Sequence, residues 1–481
     1  DAGADVYDMG LATTPMVYFG TAHFGFGASV QITASHNPKE YNGFKVSKAG
    51  ALPVGYESGL SDLQILVENG MPQPARRKGE VKPFEVRETY EQFLASYVPE
   101  SFGSLDVTVD CSNGMASLMI HELLGDRPHY LYDKLDGSFP NHAPNPLEEE
   151  NVEDLKKTVR ENGSDLGIIF DGDADRVMFV DEKGEFVPPD LIIGVLGRYF
   201  LEKEKGNVLQ DIRTSRSVSD YVEKLGGKTF TWKVGHAYAK LKLREIEGIY
   251  GGELAGHYYF RDFYHCDSGI LASLLVLRVA AEVKAERRSF SSLIDEIRTY
   301  ANSGEINFKI ERKSDAMEAL KEHFSSKEEL FSEVIESKCP TGERTDELLA
   351  RDAPCRDTLI ELGRYVVKTL LSEESIRVSR LCIASAEDHP ELARLFFSNG
   401  PERFISELAD YLEAKAEKGE LRVDHPRMAA SQLMVGFRGE GGIRLDLNVP
   451  LEPGEDYEGL YIERCVDLFL AYYGTATDGG G

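Results

Sequence analysis

The chain has 481 residues, with 82 Asp and Glu against 54 Lys and Arg, for a formal charge of −28. At roughly 150 residues per domain this length predicts three or four domains. The acidic balance repels phosphate backbones and anionic membranes, and no basic patch relieves it, so the reading is no nucleic acid and no membrane as partner. Hydrophobic residues at 42% and aromatics at 10% exclude general disorder. No apolar run reaches the ~18 residues that span a bilayer. The six cysteines form no C-x-x-C pair, as expected for reduced thiols in a cytoplasmic protein.

The opening, Asp1-Ala-Gly-Ala-Asp-Val-Tyr-Asp-Met-Gly10, reads as the end of a helix running into a strand, and so as the middle of a fold. Strands are expected at Leu105–Asp110, Leu166–Phe170, Val177–Val180, Asn207–Gln210 and Lys228–Thr231. Helices are expected at Pro189–Lys203 and Ser217–Leu225. Such alternation predicts mainly parallel sheets covered by helices. After residue 311 the texture turns helical. Ser326-Lys-Glu-Glu329 is a capping box ahead of Leu330, Val334 and Ile335. Helices follow at Arg356–Leu371, at Ser372–Ala386 with a stop near His389-Pro390, and at Glu402–Ala414. The last of these carries apolar residues at 404, 405, 408, 411 and 412. Ile443–Val449 alternates between Gly and Pro boundaries and predicts one strand. Glu458–Tyr473 is the final helix, with Gly474 suited to its C′ position.

Three segments carry chemistry. In Asp171-Gly-Asp173-Ala-Asp175-Arg176, three carboxylates sit in a turn directly after an apolar strand. Their mutual repulsion is best relieved by a hard divalent cation with oxygen ligands, and ligands of α/β sheets bind beyond the carboxyl ends of strands. An EF-hand loop places Glu182 at its twelfth position, but Arg176 stands where that loop needs glycine. In Thr33-Ala-Ser35-His36-Asn37-Pro38, followed by Asn42-Gly-Phe-Lys45, a loop serine lies near an imidazole and an amine, which suits a phosphoryl carrier. Alone, S-H-N-P is equally a turn. In Gly251-Gly-Glu253-Leu-Ala255-Gly-His257, after Trp232-Lys233-Val-Gly-His236, a flexible loop offers a carboxylate and an imidazole to vicinal hydroxyls. It is equally a plain connection.

Together these motifs resemble the α-D-phosphohexomutase family, phosphomannomutase/phosphoglucomutase-like enzymes, over residues 1 to about 325. T-A-S-H-N-P with N-G-F-K resembles its phosphoserine loop, and D-G-D-A-D-R its magnesium loop. D-I-R-T-S-R at 211–216, K-V-G-H at 233–236 and G-E-L-A-G-H at 252–257 resemble its third-domain substrate loops. S-G-E-I-N-F-K at 303–309 resembles the stretch just after the family's third domain. The resemblance implies interconversion of a hexose 1-phosphate and 6-phosphate (mannose or glucose) through a hexose bisphosphate, with Mg²⁺ as cofactor. It implies Ser35 as the phosphorylated serine, with His36, Lys45 and Arg176 beside it in catalysis. Ser35, Asp171, Asp173 and Asp175 would hold the metal. Arg213, Lys233, His236, Glu253 and His257 would bind substrate.

Three departures stand out. Ala255 replaces the family's serine. The start of the first domain is absent, and the fourth domain's R-P-S-(G/N)-T-E-P phosphate loop is not found, Arg438–Arg444 sharing only its basic residues and flexibility. From Ser325 to Gly474 the chain instead resembles the C-terminal helical part of TetR-type repressors, without their helix-turn-helix. That resemblance implies small-ligand binding or a homodimer through the C-terminal helices.

The expected fold class is therefore α/β, incomplete phosphohexomutase domains 1–3 with mixed sheets, followed by an all-α bundle. The expected boundaries are 1–100 with the phosphoserine loop, 101–188 with the metal loop and 189–310 with the sugar loop. A junction at 311–325, a helical domain at 326–474 and a disordered tail at 475–481 complete the chain. The alternative to a mutase is a non-catalytic ligand-binding or dimerising fusion.

Overall fold

A computed structural model of the chain describes residues 2–70, 75–300, 312–326, 329–330, 333, 343–351, 353–370, 372–386, 390–447, 449 and 459–475. The chain forms two compact units, Asp1–Tyr300 and Ala301–Gly481.

The first unit is α/β throughout. It opens with β1 (Val6–Asp8), α1 (Thr14–His23), β2 (Ala28–Ile32), β3 (Phe44–Lys48), β4 (Leu52–Pro53), α2 (Leu60–Glu68), β5 (Val81–Pro83) and α3 (Arg87–Ala95). β1 pairs in parallel with β5, while β2, β3 and β4 form an antiparallel sheet. Thr13 caps α1 by accepting from the Met16 N–H, and Pro15 sits in its first turn, where a missing N–H costs nothing.

The next segment carries β6 (Val107–Asp110), α4 (Ile120–Leu124), β7 (His129–Leu131), α5 (Glu153–Asn162), β8 (Leu166–Phe170), β9 (Val177–Asp181) and β10 (Phe186–Val187). Its sheet runs β10-β9-β8-β6-β7. The β6 pairs are parallel, and the β8–β9 and β9–β10 pairs antiparallel. Every residue of β6, β8 and β9 is buried, which explains their unbroken apolar runs.

The third segment adds α6 (Pro189–Leu201), β11 (Asn207–Asp211), α7 (Arg216–Lys224), β12 (Lys228–Trp232), α8 (His236–Glu245), β13 (Gly248–Gly252), β14 (Tyr258–Phe260), β15 (Cys266–Asp267), α9 (Gly269–Ala285) and α10 (Phe290–Ile297). The sheet order is β12-β11-β13-β14-β15, parallel as far as β13 and antiparallel beyond. α9 is apolar nearly all round and buried along its length. It packs against α6 on one side and against β8 and β9 of the preceding sheet on the other, so one core runs from Ala12 to Ile297.

Among its described residues the second unit is helical: Lys313–His323, Glu343–Leu349, Cys355–Leu370, Glu373–Ser385, Pro390–Phe397, Arg403–Glu417, Pro426–Asp446 and Leu460–Tyr473. Phe404, Ile405, Leu408, Tyr411 and Leu412 are all buried, the stripe expected from their spacing, against Leu359, Leu362, Phe437, Ile462 and Val466.

Three local expectations are corrected. Ile443–Asp446 is the end of a helix, not a strand. A strand needs a neighbouring ladder for its N–H and C=O groups, and no described segment of this unit supplies one. The i→i+4 bonds of a helix need no neighbour, and Arg444 pairs with Glu440 one turn away. The alternating apolars lie open instead, Ile443 at 61% and Leu447 at 70% exposure. The helix Glu373–Ser385 does stop ahead of His389-Pro390, and Pro390 begins the next one. Gly474 ends its helix extended at φ −72°, ψ 147°, not left-handed. At Ser326 the Glu329 N–H donates to the serine Oγ, as a capping box requires, but the Glu329 carboxylate accepts from Ser325. Val334, Ile335, His389, Asn448, residues 303–309 and 476–481 lie outside the described residues.

The second and third segments are also joined by one carboxylate. The Ser291 N–H and Oγ, in the first turn of α10, donate to Glu182 at 3.0 and 2.5 Å. Burial alone would raise the Glu182 carboxyl, but the two Ser291 bonds outweigh it and hold it low. A depressed carboxyl stabilises the fold above its unfolded pKa, and that contribution fades as pH falls through the folded value. Glu182→Gln is expected to cost about 1 kcal/mol near neutral pH and progressively less in acid. Denaturant unfolding at several pH values checks this, and a cost independent of pH would refute it.

Candidate functional site

Ser35 sits in the hairpin loop between β2 and β3, which the Thr33 N–H closes by donating to Gly43 O at 3.1 Å. Its φ is +53°, a left-handed conformation that a serine adopts only at some cost. Its N–H donates to Thr33 Oγ1 at 2.8 Å, and His36 Nδ1 lies 3.4 Å from its Oγ. Burial first, and the nearby Arg176 charge second, push the His36 imidazole down to about 4. Lys45 is on β3, paired across the ladder with Gln31, so its position relative to the loop is fixed by strand register.

The acidic loop joins β8 to β9. Thr14 Oγ1, Thr33 Oγ1 and Lys45 Nζ all donate to Asp173 Oδ2, at 2.7, 3.1 and 2.7 Å. Lys45 Nζ also reaches Asp175 Oδ2 at 2.5 Å. Arg176 Nε donates to Asp171 Oδ2 at 3.0 Å, with both side chains buried. Burial and the neighbouring Asp175 and Asp173 push the Asp171 carboxyl up to about 8. Burial would also raise Asp175, but Lys45 and His257 outweigh it and hold it well below the usual range. Burial disfavours the Lys45 ammonium, and Asp173 and Asp175 outweigh that in turn, so it stays charged.

The three aspartates offer carboxylate oxygens within 4.8 Å of one another. Asp173 Oδ1 and Asp175 Oδ1 are buried with no hydrogen-bond partner. Buried, unpartnered carboxylate oxygens are costly unless something cationic meets them. An all-oxygen donor set of this kind fits Mg²⁺.

The third segment closes on this loop. Arg176 and His257 form an isolated β-bridge, and the Val177 N–H donates to Gly256 O at 3.2 Å. His257 Nδ1 is 2.8 Å from Asp267 Oδ2. The His236 ring stacks on it with centroids 5.8 Å apart. Burial, and then Lys240, push His236 down to about 3. Glu253 is buried, its Oε1 accepting from the Gly235 N–H at 2.7 Å and its Oε2 from the Tyr259 hydroxyl at 2.6 Å. Each oxygen keeps a further lone pair for a ligand hydroxyl.

Lys45, Asp171, Asp173, Asp175, Arg176, His236, Glu253 and His257 thus form one cluster, which Ser35 and His36 join through Thr33 and Gly172. Arg213 reaches it through Asp211, whose Oδ2 takes Arg213 Nη2 at 2.8 Å and the Leu254 N–H at 3.0 Å. Lys233 differs: it is exposed, with its Nζ 3.6 Å from the Tyr238 ring centroid. Thr14, Asp211, Lys240, Tyr259 and Asp267 were not singled out from sequence. Thr13-Thr14-Pro15 did carry a helix-start signal, and Asp267 immediately precedes the Ser268 cap of α9. Nothing in the sequence pattern marked Lys240 or Tyr259.

Residues 1–60, 88–184 and 188–300 match the families of phosphoglucomutase/phosphomannomutase alpha/beta/alpha domains I, II and III. Residues 357–475 match the AefR-like transcriptional repressor C-terminal domain. The chain is 37% identical over 338 residues to a phosphomannomutase of Salmonella typhimurium, covering 68% of this chain and 74% of that protein. It is 35% identical over 333 residues to phosphohexose mutases of Xanthomonas campestris, covering 67% and 73%. A crystal structure of a phosphoglucomutase/phosphomannomutase family protein from Burkholderia thailandensis superposes with a TM-score of 0.56 at 28% identity, over 62% of this chain and 66% of that one. The chain belongs to the phosphoglucomutase/phosphomannomutase family, with a helical C-terminal region of the AefR-like type.

The approach of the serine loop to the acidic loop depends on Gly172. A Cβ there would lie 2.4 Å from Ser35 O, and backbone cannot yield as a side-chain tip can. Gly172→Ala is expected to cost about 1–3 kcal/mol, in the range of overpacked sites, measured by denaturant unfolding. Unchanged stability would mean that the two loops are not in contact in solution.

Proposed function

We propose that the chain is a phosphohexomutase that interconverts hexose 1-phosphate and 6-phosphate, carrying the phosphoryl group on Ser35. The observation that supports this best is the seating of the Ser35 loop on the acidic loop, through the Gly172 approach and the Thr33–Asp173 bond. Ser35 Oγ gives its phosphoryl group to a sugar hydroxyl: one P–O bond breaks, one forms, and the hydroxyl proton leaves for a nearby base. The bisphosphorylated sugar reorients, and its other phosphoryl group returns to Ser35.

Mg²⁺, held by Asp171, Asp173 and Asp175 with an oxygen on Ser35, would offset charge on the group in transfer. Lys45, fixed between Asp173 and Asp175, presents a permanent positive charge to the same region. Arg176 has a buried, unpartnered Nη2 suited to an anionic oxygen. Glu253, with Tyr259 and Gly235 orienting it, accepts from sugar hydroxyls, and His236, His257 and Arg213 flank them. Lys233 would join only after leaving the Tyr238 ring. The three segments are read as family domains over 1–100, 101–188 and 189–310.

Turnover is expected to be impaired relative to the first half-reaction, because these 481 residues contain no R-P-S-(G/N)-T-E-P loop to grip the non-reacting phosphate. Incubation with glucose 1,6-bisphosphate and Mg²⁺ should add one phosphoryl group to the wild type and none to Ser35→Ala, read by intact mass. Steady-state interconversion should be slow. Equal labelling of wild type and Ser35→Ala would sink the reading.

A second role is supported by the helical unit. Val435, Leu468 and Tyr472 lie 62%, 73% and 80% exposed on the helices Pro426–Asp446 and Leu460–Tyr473, apolar side chains that a partner copy would cover. We read these helices as a homodimer face. Light scattering should give twice the chain mass, and Leu468→Glu with Tyr472→Glu should return it to monomer. A wild-type monomer at micromolar concentration would refute the dimer.

A further inference from the structure

We infer that His142 is a pH-dependent positioning residue: as an imidazolium it pins residues 135–145 as a wall of the cavity beside Ser35, and loss of its proton loosens that wall. Its effect on phosphoryl transfer rests on the Ser35 reading above; the latch itself does not.

Two acceptors facing one ring carry the inference. His142 Nδ1 lies 2.9 Å from Ala143 O, and Nε2 lies 3.1 Å from Asp110 Oδ2. A ring nitrogen donates only when it carries hydrogen, and a neutral imidazole carries one. With Asp110 ionised, both contacts are hydrogen bonds in the imidazolium alone. The neutral ring turns a lone pair toward one of the two oxygens. The imidazole is 8% exposed and Asp110 is buried, so water is poorly placed to replace the lost bond. The carboxylate is itself fixed, since the Ser112 N–H donates to Asp110 Oδ1 at 2.8 Å.

The groups around the ring favour its charge. Asp110 comes from β6. Tyr132, just past β7, sets its ring edge-on to the imidazole at 5.3 Å and donates to Asp154 of α5 at 2.6 Å. Cys111, next to Asp110, is a thiol pushed up by burial. No described Lys or Arg pairs with His142 or Asp110. Burial lowers the imidazole, but the bonds to Asp110 and Ala143 and the Asp110 and Asp154 charges outweigh it, and it titrates above the ordinary 6.5. A raised imidazole holds its contacts fully below the unfolded value and releases them as pH rises through the folded one.

The pinned segment reaches the site. Asn113 holds it at two points, its O accepting from the Asp136 N–H at 3.0 Å and its Oδ1 from Asn141 Nδ2 at 2.8 Å. Two residues past His142, Pro144 lies against the acidic loop: a Cβ on Gly172 would stand 3.4 Å from Pro144 Cβ, at the same glycine that faces Ser35 O. A cavity of about 230 Å³ is lined by Leu135, Gly137 and Phe139 of this segment and by Thr33, Ser35 and Asp173. The seat of His142 therefore sets how firmly the segment presses on the acidic loop and how open the cavity is.

The test uses the full chain. In NMR spectra of ¹³C-histidine-labelled protein, the His142 signal, identified by its loss in His142→Gln, should titrate with a midpoint above 6.5. Amide exchange of residues 134–147, corrected for the intrinsic rate, should lose about fivefold in protection as pH rises through that midpoint, and should stay level in His142→Gln. The rate of Ser35 phosphorylation by glucose 1,6-bisphosphate and Mg²⁺, taken as the ratio of wild type to His142→Gln, should fall about threefold over the same window. The ratio cancels the other titrating groups. A midpoint at or below 6.5, wild-type protection that ignores the midpoint, or a constant ratio would each overturn the role. If neither protein is phosphorylated at any pH, the mutase reading falls, while titration and exchange still decide the latch. The wild-type exchange profile decides it even if the variant fails to fold.

Discussion

The ion pairs of Lys45 with Asp173 and Asp175 are the contact on which the rest of the first unit depends. Three aspartates at alternate positions, fully buried, would drive one another apart or take up protons. Lys45 spans two of them, and Arg176 holds the third. Removing one partner of such a buried group typically costs about 3–5 kcal/mol, because a charge is left without compensation. Lys45 belongs to β3, the aspartates to the β8–β9 turn. The ammonium therefore ties an antiparallel hairpin to a mixed sheet more than a hundred residues away. Burial makes the interaction strong and also makes it obligatory.

Around that pair the backbones come unusually close. Gly172 lies against the carbonyl of Ser35, and a Cβ on Gly114 would meet Gly172 O at 2.9 Å. Loops from two sheets can meet at the acidic turn only because neither residue carries a side chain there. The cluster is then closed from the third segment by a backbone bridge between Arg176 and His257. Strand register, close glycine packing and buried charge converge on one point, and a change in any of them displaces Ser35.

The net charge of −28 bears on how an anionic sugar phosphate would be held. The field of the whole surface opposes its approach, so affinity has to come from local donors: Lys45, Arg176, Arg213 and a bound cation. All three side chains are already committed to carboxylates within the protein. The unpartnered Arg176 Nη2 and the open oxygens of Asp173 and Asp175 are the groups with capacity left. Such a site depends on which cation fills it, because metal, lysine and arginine compete for the same few oxygens.

Sequence by itself determined the elements and the donor types. The apolar runs of β6 and β8 marked buried strands, and the 404–412 stripe marked a packed helix, because burial imposes its period on the residues directly. Three aspartates directly after a strand pointed to a cation by charge repulsion alone. The tertiary structure decided what those signals could not contain. Lys240 and Asp267 become neighbours of His257 only through the packing of α8 and the pairing of β14 with β15. Lys233, quoted in the same motif as His236, lies on the Tyr238 ring. Ile443–Val449 alternates like a strand, yet the described part closes as helix, because a strand needs a partner and local pattern cannot say whether one is there. Contacts between distant segments depend on how elements pack, and no single window of sequence records that.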